Sequence, residues 1–374
     1  MSPLTATPRS RTKRPTATSV DPDGYPYDEL KPLVRTCLQT GVSVLLRGHP
    51  GVGKSTMADE LAAELDLPLC DIRLAQREPA EVAGVYFPNE DRTQMNLLAP
   101  AWVKDACARP TLVFLDEINA AVTRLHQAAA YQIVLERRVG PFHFHPQTVV
   151  MAAGNLEEDR AIVTPLSSAL ANRFVHFILR VDVPAWIAWA ERNDIAPQVL
   201  AYMRAHRLSG TPLLYDNNGD DAFPTPRSWA MASRLLQVAD KRNAKRLVSA
   251  CIGAGPAQRL FAFVRLYNRI DPAKVVGRGQ AVDFTRGQST EPSFAYAAIT
   301  AVGRWTREHE DSWQGSWVAN LVKFMRSPGL DPEYVFILLR DLNATPGLLD
   351  KLKGDVGFQA IAAEIVKMHA EALS

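Results

Sequence analysis

The sequence predicts a mixed α/β chain: a five-stranded parallel sheet with helices on both faces, then an all-helical C-terminal half. Three observations carry this. Between positions 42 and 181, short apolar runs alternate with helical stretches, the pattern of strands joined by helical crossovers. One run, Leu112–Leu115, is apolar without a break, as a strand buried on both faces requires. After Pro184 the strand pattern stops and helical spacing takes over.

The elements follow in order. Residues 1–24 are rich in Ser, Thr, Pro and Arg, with only Leu4 and Val20 as large aliphatic side chains. They bury too little surface to offset chain entropy and are expected to form a disordered basic tail. Val42–Arg47 is the first strand. A Gly-rich turn follows, then a helix over Gly53–Leu65. Leu69–Leu74, Leu112–Leu115, Thr148–Ala153 and Val175–Val181 are the other strands. Ala121–Arg137 reads as a helix with Val122, Leu125, Ala129, Ile133 and Leu135 near one side. Farther on, Trp313, Trp317, Leu321 and Phe324 form one helical stripe, and Ile361, Ile365 and Met368 another; both read as core-facing. Residues 268–294 hold many Gly and Pro and few aliphatic stripes, which predicts a long loop or linker.

Composition bounds the function. A chain of 374 residues implies two or three domains. The net charge is +2, but Arg9, Arg11, Lys13 and Arg14 all lie in the first 20 residues, leaving the remainder at −2. A slightly acidic body lacks the electrostatic footprint of a nucleic-acid binder. No apolar run approaches the length of a membrane span, and the N-terminus lacks the apolar core of a secretory signal. Cys37, Cys70, Cys107 and Cys251 are far apart, without zinc or disulfide spacing. A reducing cytoplasm fits that usage.

The chemistry concentrates in a few segments. Gly48-His49-Pro50-Gly51-Val52-Gly53-Lys54-Ser55 matches G-x-x-x-x-G-K-[ST], the phosphate-binding loop. Its glycines let backbone N–H groups turn toward phosphate oxygens, and the following helix offers its positive end. Lys54 is placed to reach the β- and γ-phosphates of ATP. Ser55, with Thr56 beside it, is placed to ligate Mg²⁺. Leu112–Leu115 runs into Asp116 and Glu117, so a buried strand delivers two carboxylates to the sheet edge where open α/β folds bind ligands. Asp116 would hold Mg²⁺, and Glu117 would orient and activate the attacking water. Asn155 ends the fourth strand. It could hydrogen-bond the γ-phosphate or the water, or serve as the turn residue of Gly154-Asn155. His143 and His145 share a face of a predicted short strand, but a metal site needs a further ligand and none is evident. Lys241, Arg242, Lys245 and Arg246 cluster near a helix end, where they complement its dipole as a solvated face.

The segments RGHPGVGKST, LVFLDEINAA, VVMAAGN, SSALANRF and FPTPRSW occur in that order and at suitable spacing. Together they resemble an AAA+ ATPase of the MoxR group, in the branch with an insertion in helix 2 and a hairpin before the sensor strand. The resemblance covers about residues 28–270, and the Asp116-Glu117-Ile118-Asn119 tetrad and the Gln127-containing helix after it are its most specific parts. It departs at Ala120, where the group has Arg, and at His49, where it has Pro.

The resemblance implies a P-loop AAA+ core over 25–183 and a helical lid over 184–270; it stops short of residues 271–374, which read as a C-terminal helical extension of unknown role. By it, Asn155 is sensor 1, Arg173 an arginine finger given to a neighbour's ATP, and Arg227 sensor 2 on the lid. Residues 84–100 would be the helix-2 insertion, and Arg138–His145 the hairpin. It further implies ATP hydrolysis in a ring of like subunits, a hexamer, that remodels a client protein, with a von Willebrand factor A domain protein as partner. The alternatives are a nucleic-acid-associated motor or restriction-type subunit, disfavoured by the acidic body, and a nucleotide-gated scaffold, disfavoured by the presence of Glu117, Asn155 and Arg173.

Overall fold

The computed structural model describes residues 24–372, except 121–122, 157–163, 208–211, 218, 286, 288–291 and 344, and without the side chains of 369–372. The tail expected over 1–24 lies outside the described residues apart from Gly24. The chain divides after Val181 into two compact units.

The first unit runs α1 Tyr27–Gln39, β1 Val44–Arg47, α2 Lys54–Glu64, β2 Leu69–Arg73, α3 Pro79–Ala83, β3 Val85–Pro88, β4 Met95–Leu98, α4 Ala101–Ala108, β5 Leu112–Asp116, α5 Arg124–Tyr131, β6 Arg138–Val139, β7 Phe142–His143, β8 Val149–Gly154, α6 Ser168–Ala171 and β9 Val175–Ile178. All five expected strands are present. They form one parallel sheet in the order β2-β5-β8-β1-β9. Because a strand alternates its side chains, each face collects its own core. Leu45, Val113, Leu115, Val150 and Ala152 pack under α3, α4 and α5. Val44, Leu46, Leu112, Phe114, Met151 and Ala153 pack under α1 and α2. At about 1.5–3 kcal/mol for each fully buried aliphatic or Phe side chain, these two layers hold the sheet central. Its order sets β5, β8 and β1 side by side, so their C-terminal ends open on one edge.

Two antiparallel hairpins stand where the resemblance placed insertions. One pairs β3 with β4 and the other pairs β6 with β7. The first is strongly exposed, with Tyr86, Phe87, Met95 and Leu98 all more than half accessible.

The helix expected over Ala121–Arg137 is corrected in extent and phase. Residues 121–122 lie outside the described residues. The α-helix starts at Arg124 and gives way to a π turn over Gln132–Glu136. Leu125 and Leu135 are exposed, whereas His126, Ala129, Ala130, Ile133 and Val134 are buried. Ala129 and Ile133 are buried as predicted, while His126, Ala130 and Val134 complete the i, i+3, i+4 face in place of Leu125 and Leu135. His126 sets the phase, because both its ring nitrogens are satisfied inside.

The second unit has no strand among its described residues and runs α7 Val183–Ala190, α8 Pro197–His206, α9 Pro226–Val238, α10 Ala244–Ile252, α11 Ala254–Tyr267, α12 Pro272–Arg278, α13 Pro292–Glu308, α14 Ser316–Met325, α15 Pro332–Asn343 and α16 Val356–Ala372. The loop expected over 268–294 is interrupted by α12. Asp271 caps it by accepting from the Lys274 amide, Pro272 opens it, and left-handed Gly279 ends it. The predicted stripes are core: Trp317, Leu321, Phe324, Ile361 and Ile365 are buried in one cluster with residues of α12, α13 and α15. Arg204 of α8 is paired with Asp341 of α15 at 3.1 Å and with Glu191, and Arg307 of α13 bonds the Asp341 carbonyl at 3.3 Å. The basic cluster is corrected in one respect. Lys245 and Arg246 stand in the first turn of α10, where the dipole opposes a cation, although all four basic side chains are exposed.

No helix of the described residues is long and apolar enough to cross a membrane.

Candidate nucleotide-binding site

β1 ends at Arg47, and the chain turns through Gly48, His49, Pro50, Gly51 and Val52 before α2 begins. Gly53 sits at φ 106°, a backbone state that favours glycine, and places Lys54 and Ser55 at the first positions of α2. The leading N–H groups of a helix have no acceptor within it, which makes this turn suited to an anion. Val52 anchors the loop in the core on the α1/α2 side of the sheet. The Tyr27 ring backs Gly53, and burial, followed by Glu60, pushes its phenol above the usual range.

Lys54 is 8% exposed. Its ammonium donates to the carbonyls of Gly48 at 2.6 Å and His49 at 3.0 Å, and to Asn155 Oδ1 at 3.1 Å. Ser55 Oγ donates to Asp116 Oδ2 at 3.0 Å, while Asp116 Oδ1 accepts the Glu117 amide at 2.9 Å. Residues predicted from three separate segments are thus brought together at one edge of the sheet. Thr56 is exposed and shares none of these bonds among those resolved.

Glu117 has φ 55°, the left-handed region that costs a non-glycine residue about 1–2 kcal/mol. The turn is held open on both sides. Ile118 is buried and donates its amide to Ala153, and Ala120 closes on the Glu117 carbonyl. The bend swings the chain off β5 at the level where β8 ends.

Sequence reasoning missed the role of Asn119. This 7%-exposed amide donates from Nδ2 to the Asn155 carbonyl at 2.8 Å and accepts the Asn155 amide on Oδ1 at 3.0 Å. Both backbone groups of Asn155 are thereby fixed, which aims its side chain at Lys54. The available signal was a second amide three residues past Asp116, facing a Gly-Asn at the end of the neighbouring strand.

Arg173 follows α6 and is exposed, with no described residue accepting from its guanidinium. Arg227 is exposed in the second unit, at the second position of α9, behind the Thr225/Ser228 capping box. His143 lies on β7, but His145 falls beyond the strand and accepts the Gln147 amide. No group of three or more metal-binding side chains occurs among the described residues. The hard oxygens of Ser55 and Asp116 nonetheless suit Mg²⁺, which is commonly held by one or two protein oxygens with phosphates and water.

A strand–loop–helix with a buried lysine, a Ser–Asp pair and a flanking carboxylate defines a P-loop nucleotide-binding class of α/β protein. Residues 44–180 match the model of the ATPase family associated with various cellular activities (AAA). Two curated relatives are the mouse nuclear valosin-containing protein-like protein, 36% identical over 96 residues, and the yeast ribosome biogenesis ATPase RIX7, 34% identical over 106 residues. Those stretches are 26% and 27% of this chain, and it spans only 10% and 11% of the relatives' lengths. Among solved structures, NtrX of Brucella abortus is 13% identical, with 90% of this chain and 69% of that one covered and a TM-score of 0.36. The RuvB Holliday junction branch migration motor of Thermotoga maritima is 15% identical, with 69% and 78% covered and a TM-score of 0.31.

Proposed function

We propose that this chain is a MoxR-like AAA+ ATPase that hydrolyses ATP in a ring of its own copies and remodels a client protein. The observation that carries this is the convergence of Lys54, Ser55, Asp116 and Asn155 beside Glu117. Lys54 exchanges its loop carbonyls for β- and γ-phosphate oxygens, matching a cation to the charge of the nucleotide. Ser55 and Asp116 would hold Mg²⁺, which on binding offsets phosphate charge. Glu117 orients the attacking water and takes its proton. Asn155, with its backbone clamped by Asn119, holds a polar group at fixed height beside that water. Arg173 lies exposed on the domain surface, where it supplies the missing cation to the site of an adjacent subunit. Arg227 serves as the lid's cation.

The exposed β3–β4 hairpin and the helical unit are the parts that move against the client, and a partner with a von Willebrand factor A domain would present it. A cytoplasmic setting fits the four free cysteines. The test is capture in ATP with a Glu117→Gln bait, which binds nucleotide and turns over slowly. Recovery of a discrete protein that ADP releases supports the reading. Salt-sensitive stimulation of turnover by DNA, with no protein captured, replaces it with a nucleic-acid motor.

A further inference from the structure

α6 has only four residues, yet it is gripped at both ends by side chains from elsewhere in the first unit. At its start, Gln127 of α5 uses both ends of its amide. Nε2 donates to the Pro165 carbonyl at 3.2 Å, and Oε1 accepts the Ser167 amide at 3.4 Å. Ser167 in turn caps α6 by accepting the Leu170 amide on Oγ at 3.3 Å. At its end, His176 of β9 donates from Nε2 to the Ala171 carbonyl at 2.7 Å. Between these grips Leu170 is fully buried, Phe174 is 8% exposed, and the Phe174 ring meets His176 edge to face at 6.5 Å. Arg173 lies in this stretch with its amide bonded to Leu170. Its backbone is therefore over-determined while its side chain stands in solvent. His176 is also in register with Leu45 of β1, the strand that feeds the phosphate loop.

We infer that Gln127 and His176 are positioning residues that hold the Asn172–Phe174 turn so that Arg173 is presented in one fixed direction. An exposed arginine samples many rotamers, and its usefulness to a second site depends on where its Cα is pinned. Small displacements of a reacting group cost rate steeply, so a short bracket fixed at both ends has a direct effect on turnover. The inference rests on the proposed role of Arg173.

Full-length protein is assayed for ATP binding, melting temperature and turnover at saturating ATP. Gln127→Ala and His176→Ala should each lower kcat about tenfold, with ATP affinity held within about twofold. His176→Gln, whose amide N–H reaches the same place as Nε2, should recover most of the rate. The doubles Gln127→Ala/Arg173→Ala and His176→Ala/Arg173→Ala should be no slower than Arg173→Ala alone, because the grips act only through that side chain. Mixing with Glu117→Gln subunits, which lend an intact arginine, should restore activity to Gln127→Ala as it does to Arg173→Ala.

Unchanged kcat in both single variants overturns the inference, as do doubles slower than Arg173→Ala. So does loss of binding or melting temperature that His176→Gln fails to repair. If Arg173→Ala itself keeps full kcat, the reading of Arg173 fails first, and that outcome is separate from the others.

Discussion

The Gly154 backbone lies directly against the Asn119 amide: a β-carbon at position 154 would stand 2.6 Å from Asn119 Oδ1 and 2.9 Å from its Cγ. The end of β8 and the segment beyond Glu117 are therefore fitted as one piece. Asn155 owes its place beside Lys54 to that fit.

Gly154→Ala should push Asn119 out of its two bonds and cost about 1–3 kcal/mol. Asn119→Ala should cost a similar amount, about 1–3 kcal/mol, by leaving the Asn155 N–H and C=O short of partners. Thermal unfolding reads the stability. Turnover should fall in both variants, while nucleotide binding, for which Lys54 and the loop are proposed, should persist. Loss of binding in proportion to turnover would count against the clamp.

Lys54→Ala should abolish nucleotide binding, since it removes the buried cation that the Gly48 and His49 carbonyls hold at the loop and that would offset phosphate charge. Titration calorimetry with a non-hydrolysable ATP analogue decides it. An affinity within a few-fold of the parent's would show that the loop is not the phosphate site.

Asp341 receives Arg204 and Arg307, and the side chains of Arg204 and Asp341 are both 11% exposed. Asp341→Ala removes the carboxylate shared by two guanidiniums, leaving Arg204 with Glu191 and Arg307 with the backbone carbonyl at 341, and should destabilise the helical unit by about 2 kcal/mol. The exposed Lys353–Asp350 pair offers a control. Asp350→Ala should change stability by under about 0.5 kcal/mol. Equal effects from the two substitutions would refute the ranking.

His206 stacks against Tyr202 at 4.3 Å and faces Phe263 at 5.7 Å. Burial, and secondarily the nearby Arg259 charge, hold its imidazole below the usual range despite a bond to the Tyr202 carbonyl. The unfolded chain takes up this proton near pH 6.5, the folded chain only at lower pH. Unfolding in that window absorbs a proton, so stability falls as pH drops below about 6.5 and is unaffected well above it. Melting curves at pH 5 to 8 should show this slope in the parent and a flatter one in His206→Gln. Parallel curves would rule out His206 as the source.

The parallel strands were legible because each is a short apolar run set between helices. The turn before α2 and the Asp116-Glu117 step at the end of β5 were legible because each is a compact motif attached to an apolar strand. The phase of α5 was not. Leu125 looks like core and His126 like surface, yet the histidine turns inward to the Thr123 cap and the Arg77 carbonyl. α12 was hidden by its own Gly and Pro residues, which serve there as a first-position proline and a C-cap. The side chains that position others, Asn119, Gln127 and His176, act on backbone groups 5 to 40 residues away. Such partners become visible only when the sheet order is known.

Glu117 sits where a glycine or asparagine would be more comfortable. Its backbone geometry sets holding the chain together against having a carboxylate at this corner. A library screened only for survival at high temperature, with no demand for turnover, should therefore drift toward Gly or Asn at position 117. The variants it returns would be hardier than the parent and inert.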